Sequence, residues 1–147
     1  MPPEDRLARN EIVVPVAPND VFDTLMDAAS YPAWVPGTKR LAHVDAEWPA
    51  PGSAFSFRLF GGLREDKTVL LEAERPRRVV LNAHVRPFMV TRVAIELEPR
   101  GPSSTLVRLV ETVEWPSRPR LLAAAGDRFL RIRNVEALRR FARLVEP

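Results

Sequence analysis

Glu111 is the side chain whose position conflicts most with its type. It falls in the run Thr105 to Glu114, where Val107, Leu109 and Val113 alternate with Arg108, Thr112 and Glu114. Alternation sends successive side chains to opposite faces of a strand, so Glu111 belongs with the apolar set. A carboxylate facing an apolar cavity has its charged form disfavoured, which raises its pKa and suits it to general acid or base work. A bulge near Glu111, or a strand end, would instead let it reach water. The last long segment holds a second polar group. There Leu138, Phe141, Ala142 and Val145 mark one helical face, and Glu136, Arg139, Arg140 and Arg143 mark the opposite one. Carrying that apolar face backwards at about 100° per residue reaches Asp127, Leu130, Arg131 and Asn134. Either the helix kinks or splits near Arg133–Val135, or Asp127, Arg131 and Asn134 face a cavity and offer hydrogen bonds to a ligand. Asp127 and Arg131 also have the i, i+4 spacing of a surface ion pair. Glu111 and Arg131 are thus the candidate proton-moving residues, and Asp127 and Asn134 are candidate ligand contacts.

Other chemistry is sparse. The chain has no cysteine, which excludes disulfides, thiolate metal sites and cysteine nucleophiles. His43 and His84 are the two histidines, both in strand-like runs, with no H-E-x-x-H and no third ligand nearby. No metal and no cofactor is expected from them. G-x-S-x-G, Walker and G-x-G-x-x-G patterns are absent, which argues against nucleophilic hydrolysis, nucleotide hydrolysis and Rossmann redox chemistry. Shape, carboxylate and arginine remain as the tools.

The elements that must position these groups follow from pattern and punctuation. Asn10 to Val16 reads as a first strand. Pro18-Asn19-Asp20 signals a helix start, with Asn19 or Asp20 as cap, and Val21, Phe22, Leu25 and Met26 continue it to about Asp27. Ser30 to Gly37 is a second short helix or turn broken by two prolines, and within it Trp34 is either an anchor or a cavity gate. Strands follow over Thr38–Trp48, Ser53–Phe60, Arg64–Glu74, Arg78–Arg86, Phe88–Glu98 and Thr105–Glu114, with a two-residue hairpin at Gly61-Gly62. The inward face of 38–47, 67–74 and 78–85 is ambiguous. Phe55, Phe57 and Leu59 share one strand face, and Met89, Val93, Ile95 and Leu97 share another. Phe55, Phe57, Met89 and Val93 are either core or cavity wall. A long helix runs from Arg118 to near Val145. Consecutive strands with short turns make an antiparallel meander, and only the long helix is large enough to cover its apolar face.

Three stretches carry a family resemblance: Ile12 through Ala17-Pro18 to Val21-Phe22, the run Ser30-Tyr-Pro-Ala-Trp-Val-Pro-Gly37, and the closing Ala137–Glu146. With the order β-αα-β6-α, the chain resembles the helix-grip, START-like (SRPBCC) superfamily, in its polyketide cyclase/dehydrase-like branch, over almost its whole length. The resemblance implies an α+β helix-grip fold, a curved antiparallel sheet wrapped around a long C-terminal helix, in one domain over 1–147. It also implies a hydrophobic cavity between sheet and helix. Members bind lipids, sterols, quinones, aromatic polyketides or plant hormones, and some are enzymes, so the fold alone does not choose. The expectation is a hydrophobic or aromatic small-molecule partner, with either cyclase- or dehydratase-like action or non-catalytic carriage of lipid or quinone.

Charge bears on other partners. Formal net charge is +3, and only Lys39 and Lys67 among the 22 basic residues are lysine. From Arg118 onward eight arginines face Asp127, Glu136 and Glu146, a local net of +5. The rest of the chain is close to neutral. The arginines are spread, so nucleic acid is not expected. A solvated helix face is one reading. Peripheral membrane contact is the other, with Phe129 and Ile132 beside Arg128 at an exposed edge. No run approaches the roughly 20 apolar residues of a membrane span. The start of the chain lacks a signal-peptide pattern, so a cytoplasmic location is expected.

Overall fold

Prolines and strand pairing set where the elements begin and end. The computed structural model describes residues 8–38, 40–59, 64–85, 89–115 and 120–147; within these, the side chains of 59, 64, 65, 85, 115, 120–124 and 127 lie outside the description. The first strand, β1, is Ala8–Val14, and it stops before Pro15, which has no N–H to continue a ladder. Helix α1 is Pro18–Met26; its N-cap is Ala17, with no side-chain cap bond. This corrects the expectation of Asn19 or Asp20 as cap: Pro18 takes the first helical position, where a missing N–H costs nothing. A 3₁₀ turn, Ala28–Ser30, leads into α2, Tyr31–Trp34.

Six strands follow: β2 (Arg40–Val44), β3 (Ala54–Leu59), β4 (Arg64–Glu74), β5 (Arg78–Val85), β6 (Met89–Gly101) and β7 (Ser104–Trp115). The long helix α3 is Arg120–Val145, continuous through Arg133–Val135, so the helix is not split there. The first ladder residues of the expected hairpin at Gly61-Gly62 are seen as Leu59↔Arg64; the glycines themselves lie outside the described residues. The largest departure is β2, expected over Thr38–Trp48. The chain leaves the sheet at Asp45, whose Oδ2 accepts from the Ala54 N–H at 2.9 Å. Trp48 then turns back to donate its indole Nε1–H to the Met26 carbonyl at 2.7 Å.

The strands form one seven-stranded antiparallel sheet in the order β1-β7-β6-β5-β4-β3-β2. β1 closes onto the last strand, from Ala8↔Glu111 to Val14↔Thr105. The pairs Phe57↔Asp66, Thr68↔Ala83, Ala83↔Thr91 and Val93↔Glu111 put all of these residues on the inner face. The inner face buries Val14, Leu70, Ile95 and Val107 together with Phe22 and Leu25 of α1 and Leu138 and Phe141 of α3. The architecture is a helix-grip α+β fold, with the sheet curved around α3.

The opposite face of the sheet is held by charge. Arg108 Nε donates to Glu11 Oε1 at 2.8 Å and its Nη1 to Glu96 Oε2 at 3.3 Å. Arg78 Nη1 reaches the other oxygen of Glu96 at 3.2 Å. These contacts step across β1, β7, β6 and β5. The hydrogen bond from Arg108 holds the Glu11 carboxyl below the usual carboxylate range.

Candidate ligand cavity

Between the inner face, α2 and α3 lies a cavity of about 380 Å³. Its floor is aromatic. Tyr31 packs against Trp34 and Phe55 with ring centroids 4.9 and 4.7 Å apart, and Trp34 meets the edge of Phe141 at 5.2 Å. Tyr31 is held in place by its hydroxyl, which donates to the Leu25 carbonyl at 2.9 Å. Burial, with Asp27 adding to it, pushes its pKa well up, so the hydroxyl stays a donor. The exposed residues Gly37, Lys67 and Phe129 also line the cavity and mark where it meets solvent.

One pole of the cavity is polar. Glu111 is 3% exposed, and its Oε1 accepts a hydrogen bond from Asn134 Nδ2 at 3.0 Å. Arg133 Nη1 stands 4.0 Å from the same oxygen. The other guanidinium nitrogen, Nη2, donates to the Pro36 carbonyl at 3.1 Å. Pro36 precedes Gly37, whose φ of 88° is a left-handed turn that a side chain rarely adopts. Arg133 therefore joins the inner carboxylate to the loop at the rim. Trp34 and Thr91 line the cavity with other atoms; Trp34 Nε1 and Thr91 Oγ1 are buried behind its surface, with no hydrogen-bond partner among the described residues. A buried, unmatched N–H or O–H is costly to the fold.

The structure sorts the sequence candidates. Trp34, Phe57, Met89, Val93, Glu111 and Asn134 all line the cavity. Trp34 is both anchor and wall, since it is 3% exposed and packed on Tyr31 and Phe141. Phe55 is a correction: it sits in the aromatic floor between Tyr31, Trp48 and Phe57, outside the cavity lining. Arg131 is a second correction: its side chain is exposed, and Arg133 lines the cavity in its place. The backward projection assumed a constant buried face. Near the C-terminus α3 buries Ala137, Leu138, Phe141 and Ala142, whereas one to two turns earlier it buries Leu130 and Asn134. The buried sector thus shifts along the helix, and a projection at constant angle misplaces Arg131. The Asp127 side chain lies outside the described residues.

Asp66 and Arg133 were missed by the sequence reading, and Thr91, which alternation puts on the face of Met89 and Val93, was not singled out as a site residue. Asp66 is 8% exposed and lines the cavity opposite Phe57. Its facing was legible from the two-residue hairpin at Gly61-Gly62, because that turn fixes Phe57 and Asp66 as partners. Arg133 carried a weaker signal, four residues before Ala137 on the same side of the helix. His43 pairs with Asp45 at 3.3 Å on the exposed side, while His84 is half-buried at the cavity edge. Among the described residues no group of three or more His, Asp or Glu could hold a metal ion.

A curved sheet gripping a helix around a largely apolar cavity, with the carboxylates of Glu111 and Asp66 on its wall, is the arrangement of a helix-grip protein. Residues 7–146 match the family described as polyketide cyclase / dehydrase and lipid transport, and the chain belongs to that family. No curated protein matches the sequence. Solved structures match the fold at low identity. A solution structure from Thermobifida fusca is 19% identical with a TM-score of 0.73, covering 95% of this chain and 93% of the other. The di-domain ARO/CYC StfQ from the steffimycin biosynthetic pathway is 17% identical with a TM-score of 0.66, covering 97% of this chain and 51% of StfQ. A norcoclaurine synthase from Thalictrum, in complex with a transition-state analogue, is 13% identical with a TM-score of 0.69, covering 95% and 92%. Among the described residues no helix is long and apolar enough to cross a membrane.

Proposed function

We propose that the protein binds a ring-bearing apolar small molecule in the cavity, and that Glu111 is the polar group the ligand's reactive end meets. The observation that carries this reading is a buried carboxylate, fixed by Asn134, on the wall of an otherwise largely apolar cavity. The size suits one small molecule, being within the roughly 300–1,000 Å³ range of ligand pockets. Tyr31, Trp34 and Phe57 on the wall give a ring something to pack against, and the Glu111 carboxylate calls for a donor on the ligand. A ring system bearing a hydroxyl suits both; a bare hydrocarbon tail leaves the carboxylate without a ligand partner.

In its reactive form this reading is cyclase- or dehydratase-like, as the family description allows. The walls would hold a flexible chain in one folded conformer, a gain from orientation. Glu111 would take a proton from a carbon beside a carbonyl, and the same proton would return to the oxygen of the attacked carbonyl as the ring closes. In the second reading the protein carries its ligand unchanged, and the exposed Phe129 and Ile132 favour a carrier that meets a lipid surface.

Native mass spectrometry of the purified protein tests the shared premise. The wild type is expected to carry a small-molecule adduct, and Val93→Trp, which fills the cavity, is expected to lose it. A wild type without adduct that also fails to take up the neutral apolar probe N-phenyl-1-naphthylamine would sink both readings. Glu111→Gln separates them: a cyclase loses turnover on its substrate by roughly 10²-fold or more, and a carrier keeps its ligand.

A further inference from the structure

The exposed side of α3 beside the cavity opening has an unusual composition. Phe129 and Ile132 are 61% and 65% exposed, and Val135 continues them one turn on at 38%. At i, i+3 spacing they form one stripe on the helix. Arg128, Arg131, Arg139 and Arg143 are exposed on the same half of the helix, against Glu136, which is engaged by Arg140 at 3.0 Å. On the outer face of the sheet Arg78 and Arg108 contact Glu96, and Arg108 also contacts Glu11. Exposed arginines thus flank one apolar stripe. That stripe begins at Phe129, which also lines the cavity.

We infer that this face of α3 docks on an anionic lipid surface, with Phe129 and Ile132 entering the acyl boundary and the arginines resting on the headgroup phosphates. The inference rests on the cavity reading, because its purpose is to bring the opening to the place where an apolar ligand is dissolved. Charge complementarity selects the occupant. A helix lying in an interface needs large apolar side chains on one side and cations able to reach acidic headgroups. Arginine suits the second task, since its planar fork pairs with phosphate oxygens. Each arginine near an acidic bilayer adds attraction, and salt screens it. The helix lies along the surface and does not enter the membrane, and its opposite face stays buried in the protein through Leu130, Ala137 and Phe141.

The test is vesicle co-sedimentation of the full chain. The protein is expected to bind phosphatidylcholine vesicles containing phosphatidylglycerol at least about tenfold more tightly than vesicles of phosphatidylcholine alone. The preference is expected to shrink as salt rises. Arg128→Gln/Arg139→Gln/Arg143→Gln should abolish the preference, and Ile132→Glu should lower binding about tenfold or more. Neither variant touches the cavity wall, so both should take up N-phenyl-1-naphthylamine in solution like the wild type. Equal or absent binding to both vesicles, with probe uptake intact, overturns the docking and leaves the cavity reading standing. Vesicle binding without probe uptake would overturn the cavity reading alone. If sedimentation velocity finds a dimer that Ile132→Glu dissociates, a second copy covers this face and the inference fails.

Discussion

The bond between Asn134 and Glu111 joins α3 to β7 inside the cavity, and its energetic character can be separated from its chemistry. An acceptor as buried as Glu111 loses its partner when Asn134 becomes Leu. We expect Asn134→Leu to cost about 1–3 kcal/mol. Replacing both ends, in Glu111→Leu/Asn134→Leu, should cost clearly less than the two single changes added together, since no polar group is then stranded. Urea midpoints of the four proteins measure this, and strict additivity would show that the bond couples nothing. At this scale the sequence was informative where a strict period governs. Glu111 was legible because β7 keeps its alternation through Val113. Arg133 was not, because the buried side of α3 changes along its length. Asp66 was recoverable only by counting across the hairpin, since strand alternation in Lys67–Glu74 is itself ambiguous.

Helix α3 carries two phenylalanines with opposite fates. Phe141 is fully buried and meets Trp34 edge-on, so Phe141→Ala should cost about 3–5 kcal/mol, read from the denaturation midpoint. Phe129 is mostly in water, and Phe129→Ala should change stability by no more than about 0.5 kcal/mol. A large loss on Phe129→Ala would mean that this edge packs against protein. The order of elements was legible from punctuation alone, as each turn carries proline, glycine or a break in period. β2 was not. Its expected end at Trp48 rested on continued hydropathy, and nothing local announces that Asp45 will bond to Ala54 or that Trp48 will reach Met26. The Trp48 bond spans 22 positions, and a local reading does not contain it.

Across the whole molecule the two sheet faces are stabilised by different forces, apolar burial within and an ion-pair ladder outside. Acid should distinguish them. The folded carboxyl of Glu11 titrates below its ordinary range, chiefly through the hydrogen bond from Arg108. Its stabilisation is therefore present above the unfolded value of about 4.3 and is lost as pH falls through the lowered folded value. Melting temperatures of wild type and Glu11→Gln should differ at neutral pH and converge in acid. A difference that persists unchanged in acid would place the effect in packing instead of charge. This ladder was invisible in composition, which records a net of +3 but not which arginines find carboxylates.

The closure of β1 onto β7 has a consequence in time. Glu11 and Arg108 are 97 positions apart, and the Thr105 hydroxyl bonds back to Val16 across 89. As the chain leaves the ribosome, its first strand has no neighbour until nearly the last strand has been made. Helix α1 and the aromatic floor can form early, but the edge of β1 waits. Contacts of such long range slow folding and leave a strand edge open to wrong partners. The carboxylate pole is thus among the last parts to be assembled, because β7 brings Glu111 into place and α3 follows with Asn134. A chain halted before α3 would expose the floor of an unfinished cavity, and such a fragment should be a substrate for chaperones before the protein can accept any ligand of its own.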